Sequence, residues 1–158
     1  MKLALAAFVV CLLLSVPLAA MGKGPEHKGK EVIATQEAPP AIGPYSQAIK
    51  AGPFLFLSGA LGMDPASGQV VTGGVAAEAE QALNNLGAIL KAAGASFDDV
   101  VKTTIFLTDM ADFSTVNEVY AKRFSGAPPA RSTVAVKELP RSGKVEIEFT
   151  AVVPPKKK

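Results

Sequence analysis

Two periods of apolar recurrence divide this chain. Over residues 75–94, VAAEAEQALNNLGAILKAAG sets Ala79, Leu83, Leu86, Leu90 and Ala93 three or four positions apart. That is the spacing of one buried helix face, and Gly94 supplies a stop. DMADFSTVNEVYAKRF, residues 109–124, repeats the pattern at Phe113, Val116, Val119, Tyr120 and Phe124, with Asp112 or Asp109 as N-cap. Elsewhere the period is two. Val101, Thr103, Ile105 and Leu107 alternate with Lys102, Thr104, Phe106 and Thr108, which predicts a strand with one apolar and one mixed face. Shorter runs at 32–35 (VIAT), 47–52 (QAIKAG), 54–61 (FLFLSGAL), 131–138 (RSTVAVKE) and 144–153 (KVEIEFTAVV) read as five more strands. Gly59 interrupts one of them, marking a bulge or a close backbone approach. QEAPPAIGPYSQ, residues 36–47, is too rich in Pro and Gly for a regular element and reads as an ordered loop.

The order β-β-β-α-β-α-β-β predicts an α+β fold: a single mixed sheet with two helices on one face and hairpins at both ends. Phe106, Phe149 and Phe54 or Phe56 would leave the other sheet face apolar as well. An apolar face of that size signals association, so a closed homo-oligomer is expected.

The ends differ from this domain. MKLALAAFVVCLLLSVPLAA has one Lys, an apolar run and small residues at Ala19 and Ala20. That is the layout of a secretory signal peptide; the run Leu3–Leu14 is short against the about 20 residues of a bilayer span. The expected organisation is a signal peptide over 1–20, a flexible linker over 21–30, a domain over 31–153 and a basic tail over 154–158. The product would be exported, periplasmic or secreted, without a stable membrane anchor. It would be cytoplasmic if the leader does not function. Loss of Lys2 takes the formal charge from +2 to +1. Loss of Cys11, the only cysteine, removes disulfide and thiolate chemistry. His27, the only histidine, stands in the polar stretch before the domain, so no metal site is expected. The near-neutral charge and the lack of a basic amphipathic helix or RNA-binding aromatic motif give no support to nucleic-acid binding.

Candidate chemistry concentrates near the C-terminus. Arg131 follows the stiff GAPPA loop at a strand start, where a planar guanidinium suits bidentate carboxylate binding or an ion pair with a nearby Glu. Glu146 and Glu148 share one strand face. Burial would raise a carboxyl pKa and make it a proton carrier; pairing with Lys144, Lys137 or Arg141 is the alternative. Tyr45 is a pocket wall or a core plug. Ser58 lacks a histidine and a nucleophile elbow, which leaves hydrogen bonding to a ligand. Asn117 caps a loop or a ligand.

IGPYSQA, LSGALGMDP, AEQALNNLGAILKAAG, DVVKTTIFLTDMADFSTVNEVY, PPARSTVAV and KVEIE occur in that order between about Ile33 and Val153. Together they resemble the YjgF/RidA reactive-intermediate deaminases. The resemblance implies a chorismate-mutase-like fold, a homotrimer with clefts between subunits, and hydrolysis of 2-imino acids or their enamine tautomers to 2-oxo acids and ammonia without a cofactor. The partners it implies are small 2-imino and 2-oxo carboxylic acids. By motif, Arg131 is similar to the arginine that holds the substrate carboxylate and Glu146 to the carboxylate that handles water and protons. Tyr45, Ser58, Gly59, Asn117 and Thr133 fall on substrate-binding positions. The chain departs from the pattern at Ala60, where Gln is common, and at Pro128, where Phe is common. A non-enzymatic trimer that binds small carboxylates, or acts as a chaperone, is the alternative.

Overall fold

The computed structural model describes residues 29–153. The expected signal peptide, most of the linker, the basic tail, Cys11 and His27 lie outside the described residues. Eight elements follow one another: β1 (Glu31–Ile33), β2 (Ala48–Ala51), β3 (Phe54–Leu61), α1 (Gly74–Ala92), β4 (Val100–Leu107), α2 (Phe113–Ala121), β5 (Ala130–Ala135) and β6 (Val145–Val152). They form one six-stranded mixed sheet in the order β1-β2-β3-β6-β4-β5. No helix among the described residues is long and apolar enough to cross a membrane.

The hairpin expected at the C-terminal end does not form. β5 pairs with β4 in parallel, while β6 inserts between β3 and β4 and runs antiparallel to both. The crossover helix α2 makes β4-α2-β5 a parallel unit, and such units favour one hand. The α1 crossover steps the same way along the sheet, from β3 over β6 to β4. Two crossovers of one hand and one direction place both helices on the same face. β6 takes the middle because its inner residues Val145, Ile147, Phe149 and Ala151 are the most fully buried row of the sheet.

Leu83, Leu86 and Leu90 of α1 and Val116 and Tyr120 of α2 pack onto Leu55, Ile105, Leu107 and Ile147. Phe149 belongs to this inner layer, not to the open face as expected. It meets Phe97 and Phe124 edge to face, with centroids 6.0 and 6.4 Å away. Val101 departs from the predicted alternation. A register shift between Val100 and Lys102 turns Val100 inward and leaves Val101 exposed. Asp109 caps the 3-10 turn Met110–Asp112 that leads into α2, its carboxylate accepting from the Ala111 N–H; Asp112, at the N-cap of α2 itself, makes no side-chain cap. The open face carries exposed Phe54, Phe56, Val134 and Val152.

Candidate active site

Strand register decides what the candidate residues can reach. In the β4–β5 pair Thr103 stands beside Arg131; in the β4–β6 pair Phe106 stands beside Glu146. Thr103 and Phe106 are an odd number of residues apart, so they point to opposite faces. Arg131 therefore projects on the helix face at the outer strand. Glu146, between inward Val145 and Ile147, projects on the open face. Within one chain the guanidinium and the carboxylate do not share a crevice.

Glu146 belongs to a cavity of about 430 Å³ at the end of β3. Tyr45, Gln47, Ser58, Gly59 and Asn85 supply its other polar groups, and Pro39, Pro40, Ile42, Leu61, Met63 and Ile89 much of its apolar wall. The β3–β6 register slips between Leu57 and Ala60, so Ser58 and Gly59 form the expected bulge. Gly59 serves a close approach: a Cβ there would overlap the Glu146 Oε1 atom. Burial raises the Glu146 pKa above the ordinary carboxylate value, and the Glu148 charge adds to the rise. Neither glutamate forms an ion pair among the described residues, so the cross-strand pairing with Lys144, Lys137 or Arg141 is not seen.

The loop over 36–47 is ordered, and Gln47 is the reason. Its Oε1 accepts from the Thr35 N–H at 2.7 Å, and its Nε2 faces the carbonyls of Thr35, Ala38 and Pro39 at 2.7–3.2 Å. This buried amide satisfies backbone groups that a loop otherwise leaves to water. The loop presents Tyr45, half-exposed at the cavity wall, with its hydroxyl accepting from the Ile42 N–H at 3.2 Å. Ser58 Oγ donates to the Ser46 carbonyl at 2.7 Å and keeps acceptor capacity. Asn85 closes the floor: Nδ2 donates to the Leu61 and Met63 carbonyls at 3.2 and 2.8 Å.

Arg131 lines a second depression with Asn117, Tyr120, Phe124, Pro128 and Pro129. Its guanidinium carbon lies 4.8 Å from the Tyr120 ring centroid and 5.8 Å from that of Phe113. Among the described residues Arg131 has no carboxylate within ion-pair distance, so the ion pair with a nearby Glu is not formed. Thr133 lies two positions along the same face of β5; its Oγ1 is buried without a hydrogen-bond partner. The structure thus gathers Tyr45, Ser58, Gly59 and Glu146 at one place, and Arg131 and Asn117 at another, with Thr133 beside the second.

Sequence reasoning passed over Gln47, Asn85 and Tyr120 as site-building residues. Asn85 was visible as a polar member of the helical row Glu78–Ala82–Asn85–Ile89, all of it inward-facing. Gln47 carried no periodic signal, and Tyr120 registered only as core.

Such an arrangement defines a small α+β protein with a carboxyl-bearing cavity at the end of β3, floored by α1, and an arginine depression between α2 and β5. A family model described as Endoribonuclease L-PSP matches residues 35–153. The chain belongs to that family, the YjgF/RidA proteins. A 2-iminobutanoate/2-iminopropanoate deaminase of Mus musculus is 56% identical over 126 residues, spanning 80% of this chain and 93% of that protein. The chloroplastic Reactive Intermediate Deaminase A of Arabidopsis thaliana is 52% identical over 139 residues, 88% of this chain and 74% of its own. Among solved structures, RidA from the Antarctic bacterium Psychrobacter superposes with a TM-score of 0.76 at 45% identity, covering 78% of this chain and 99% of that one. E. coli TdcF with bound serine gives 0.75 at 42% identity, with coverage of 78% and 99%.

Proposed function

We propose that this protein hydrolyses reactive 2-imino acids, or their enamine tautomers, to 2-oxo acids and ammonia. The site is a cleft between copies of a homotrimer, uniting Glu146 of one subunit with Arg131 of the partner subunit. One observation carries this reading. An arginine without an ion partner among the described residues and a half-buried glutamate with a raised pKa stand on opposite faces of one sheet, so each is half of a site that a second copy completes. The exposed apolar residues of the open face supply a reason for copies to associate. Relatives at 52–56% identity that bear the deaminase names support the chemistry.

The substrate carboxylate pairs with Arg131, bidentate and partly shielded from water. Glu146, ionised, accepts a hydrogen bond from a water and aims it at C2. The C–O bond forms, the C=N π pair goes to nitrogen, and a proton moves through Glu146 to that nitrogen. The new hydroxyl gives its proton to the same nitrogen through Glu146, the C–N bond breaks, ammonia leaves and the carbonyl closes. Tyr45 and Ser58 border the reacting carbon, and Asn117 and Thr133 border the carboxylate end. A lone guanidinium facing a carboxylate fits a small organic acid better than a polyphosphate strand, which Glu146 would repel.

The test follows 2-oxobutanoate release from enzymatically generated 2-aminocrotonate, with the uncatalysed rate subtracted. Wild type accelerates release, and Arg131→Ala loses at least about tenfold in kcat/KM, the scale of a charge-assisted hydrogen bond. A rate indifferent to Arg131→Ala rejects the clamp. Binding of 2-oxobutanoate without acceleration leaves a carboxylate-binding protein.

A further inference from the structure

We propose that Tyr120 is a positioning residue: with Phe113 it forms an aromatic cradle that fixes the plane of the Arg131 guanidinium and leaves its N–H edge free for a carboxylate. The inference rests on the proposed role of Arg131.

Arginine is long and flexible, and an unpaired one ordinarily samples many rotamers. Here no carboxylate holds it among the described residues. What lies against it is the Tyr120 ring, 4.8 Å from the guanidinium carbon, with Phe113 at 5.8 Å. Both distances are inside the range of cation–π attraction. The ring itself cannot drift. Tyr120 is 4% exposed, and its hydroxyl is 2.9 Å from Thr103 Oγ1 in a buried hydrogen bond. Thr103 is the residue that stands beside Arg131 in the parallel β4–β5 pair. A closed circuit results, running from the Arg131 backbone through its guanidinium, the ring and Thr103 back to the neighbouring strand. A ring set against a guanidinium face leaves the hydrogen-bond donors available, because all of them lie in the guanidinium's own plane and point outward from it.

Two readouts test this on the assembled protein: 2-oxobutanoate affinity by isothermal titration calorimetry, and KM against kcat for 2-iminobutanoate. Tyr120→Leu raises Kd and KM about tenfold, as expected for loss of a desolvated cation–π contact, and changes kcat less than about twofold. Tyr120→Phe, which keeps the ring but loses its bond to Thr103, recovers most of the loss and falls between Tyr120→Leu and wild type. In an Arg131→Ala background the Leu substitution has no further effect on affinity. Should Tyr120→Leu fail to assemble, Tyr120→Met fills the same space without a π face and carries the same expectation. A Kd and KM that stay put while stability and kcat fall would overturn the inference. So would an equal loss with and without Arg131, or a wild type that binds no 2-oxobutanoate. Wild type that binds 2-oxobutanoate but does not accelerate imine hydrolysis rejects the hydrolase reading alone, because the calorimetric comparison still decides the cradle.

Discussion

Glu146 occupies a place that disfavours its charge for two separable reasons. Burial is the larger, and the neighbouring Glu148 charge on the same strand face is the smaller; both raise its pKa above the ordinary 4.5. If the ionised form orients water, protonation stops the reaction. Activity then falls as pH drops through the Glu146 pKa of the assembled cleft, where an approaching guanidinium lowers what burial and Glu148 raise. Glu148→Gln removes one of the two causes and leaves the other. The acid limb of kcat/KM therefore moves to lower pH. A pH–rate profile of wild type and Glu148→Gln, each corrected for spontaneous imine hydrolysis, checks this. Superposable acid limbs would show that Glu146 is not the titrating group. Gly59 belongs to the same account, because only the absence of a side chain leaves room for the carboxylate where it stands.

Between elements, buried amides and carboxylates do the aligning. Asn85 on α1 is 2% exposed and holds the end of β3 and the turn after it through the carbonyls of Leu61 and Met63. Glu78, one row along, accepts from the Lys144 N–H at 2.7 Å and fixes the start of β6. Asn85→Ala strips two buried carbonyls of their donor. The expected cost is about 1–3 kcal/mol in urea unfolding followed by circular dichroism at fixed protein concentration. A change no larger than that of an ordinary surface substitution would show that the tether is idle. The same scale separates what the residue pattern disclosed from what it hid. Both helices, the β4 alternation from Thr103 onward and the Gly59 bulge were legible because each is a local matter of spacing. The partner of β5 was not. Two alternating stretches around Leu139-Pro140 look alike whether they pair with each other or each with β4. Only the α2 crossover and the deep burial of β6 decide between them. Arg131 and Glu146 stood out as candidates, but the face each takes depends on that pairing and so escaped the reading.

At the scale of the whole molecule, opposite faces make a prediction that a single-chain site does not share. Arg131→Ala keeps its own Glu146, and Glu146→Gln keeps its own Arg131. Each variant alone forms only broken clefts. In a mixed ring a cleft is whole when an Arg131→Ala subunit supplies the carboxylate and a Glu146→Gln neighbour supplies the guanidinium. In every mixed trimer about one cleft in three meets that condition, whichever variant is in the majority. Co-expression of the two variants, with separate tags and tandem purification of mixed rings, should restore a substantial part of the wild-type rate. Sedimentation velocity on the same material should give a trimer mass. Rescue would mean that the partner subunit's Arg131 closes the cleft of Glu146, with the exposed Phe54 and Phe56 as candidates for the surface on which copies meet. Mixed rings as inactive as either parent would place both groups in one chain's site after all. That outcome would contradict the register that sets Thr103 beside Arg131 and Phe106 beside Glu146, which is the geometry from which the shared cleft is argued.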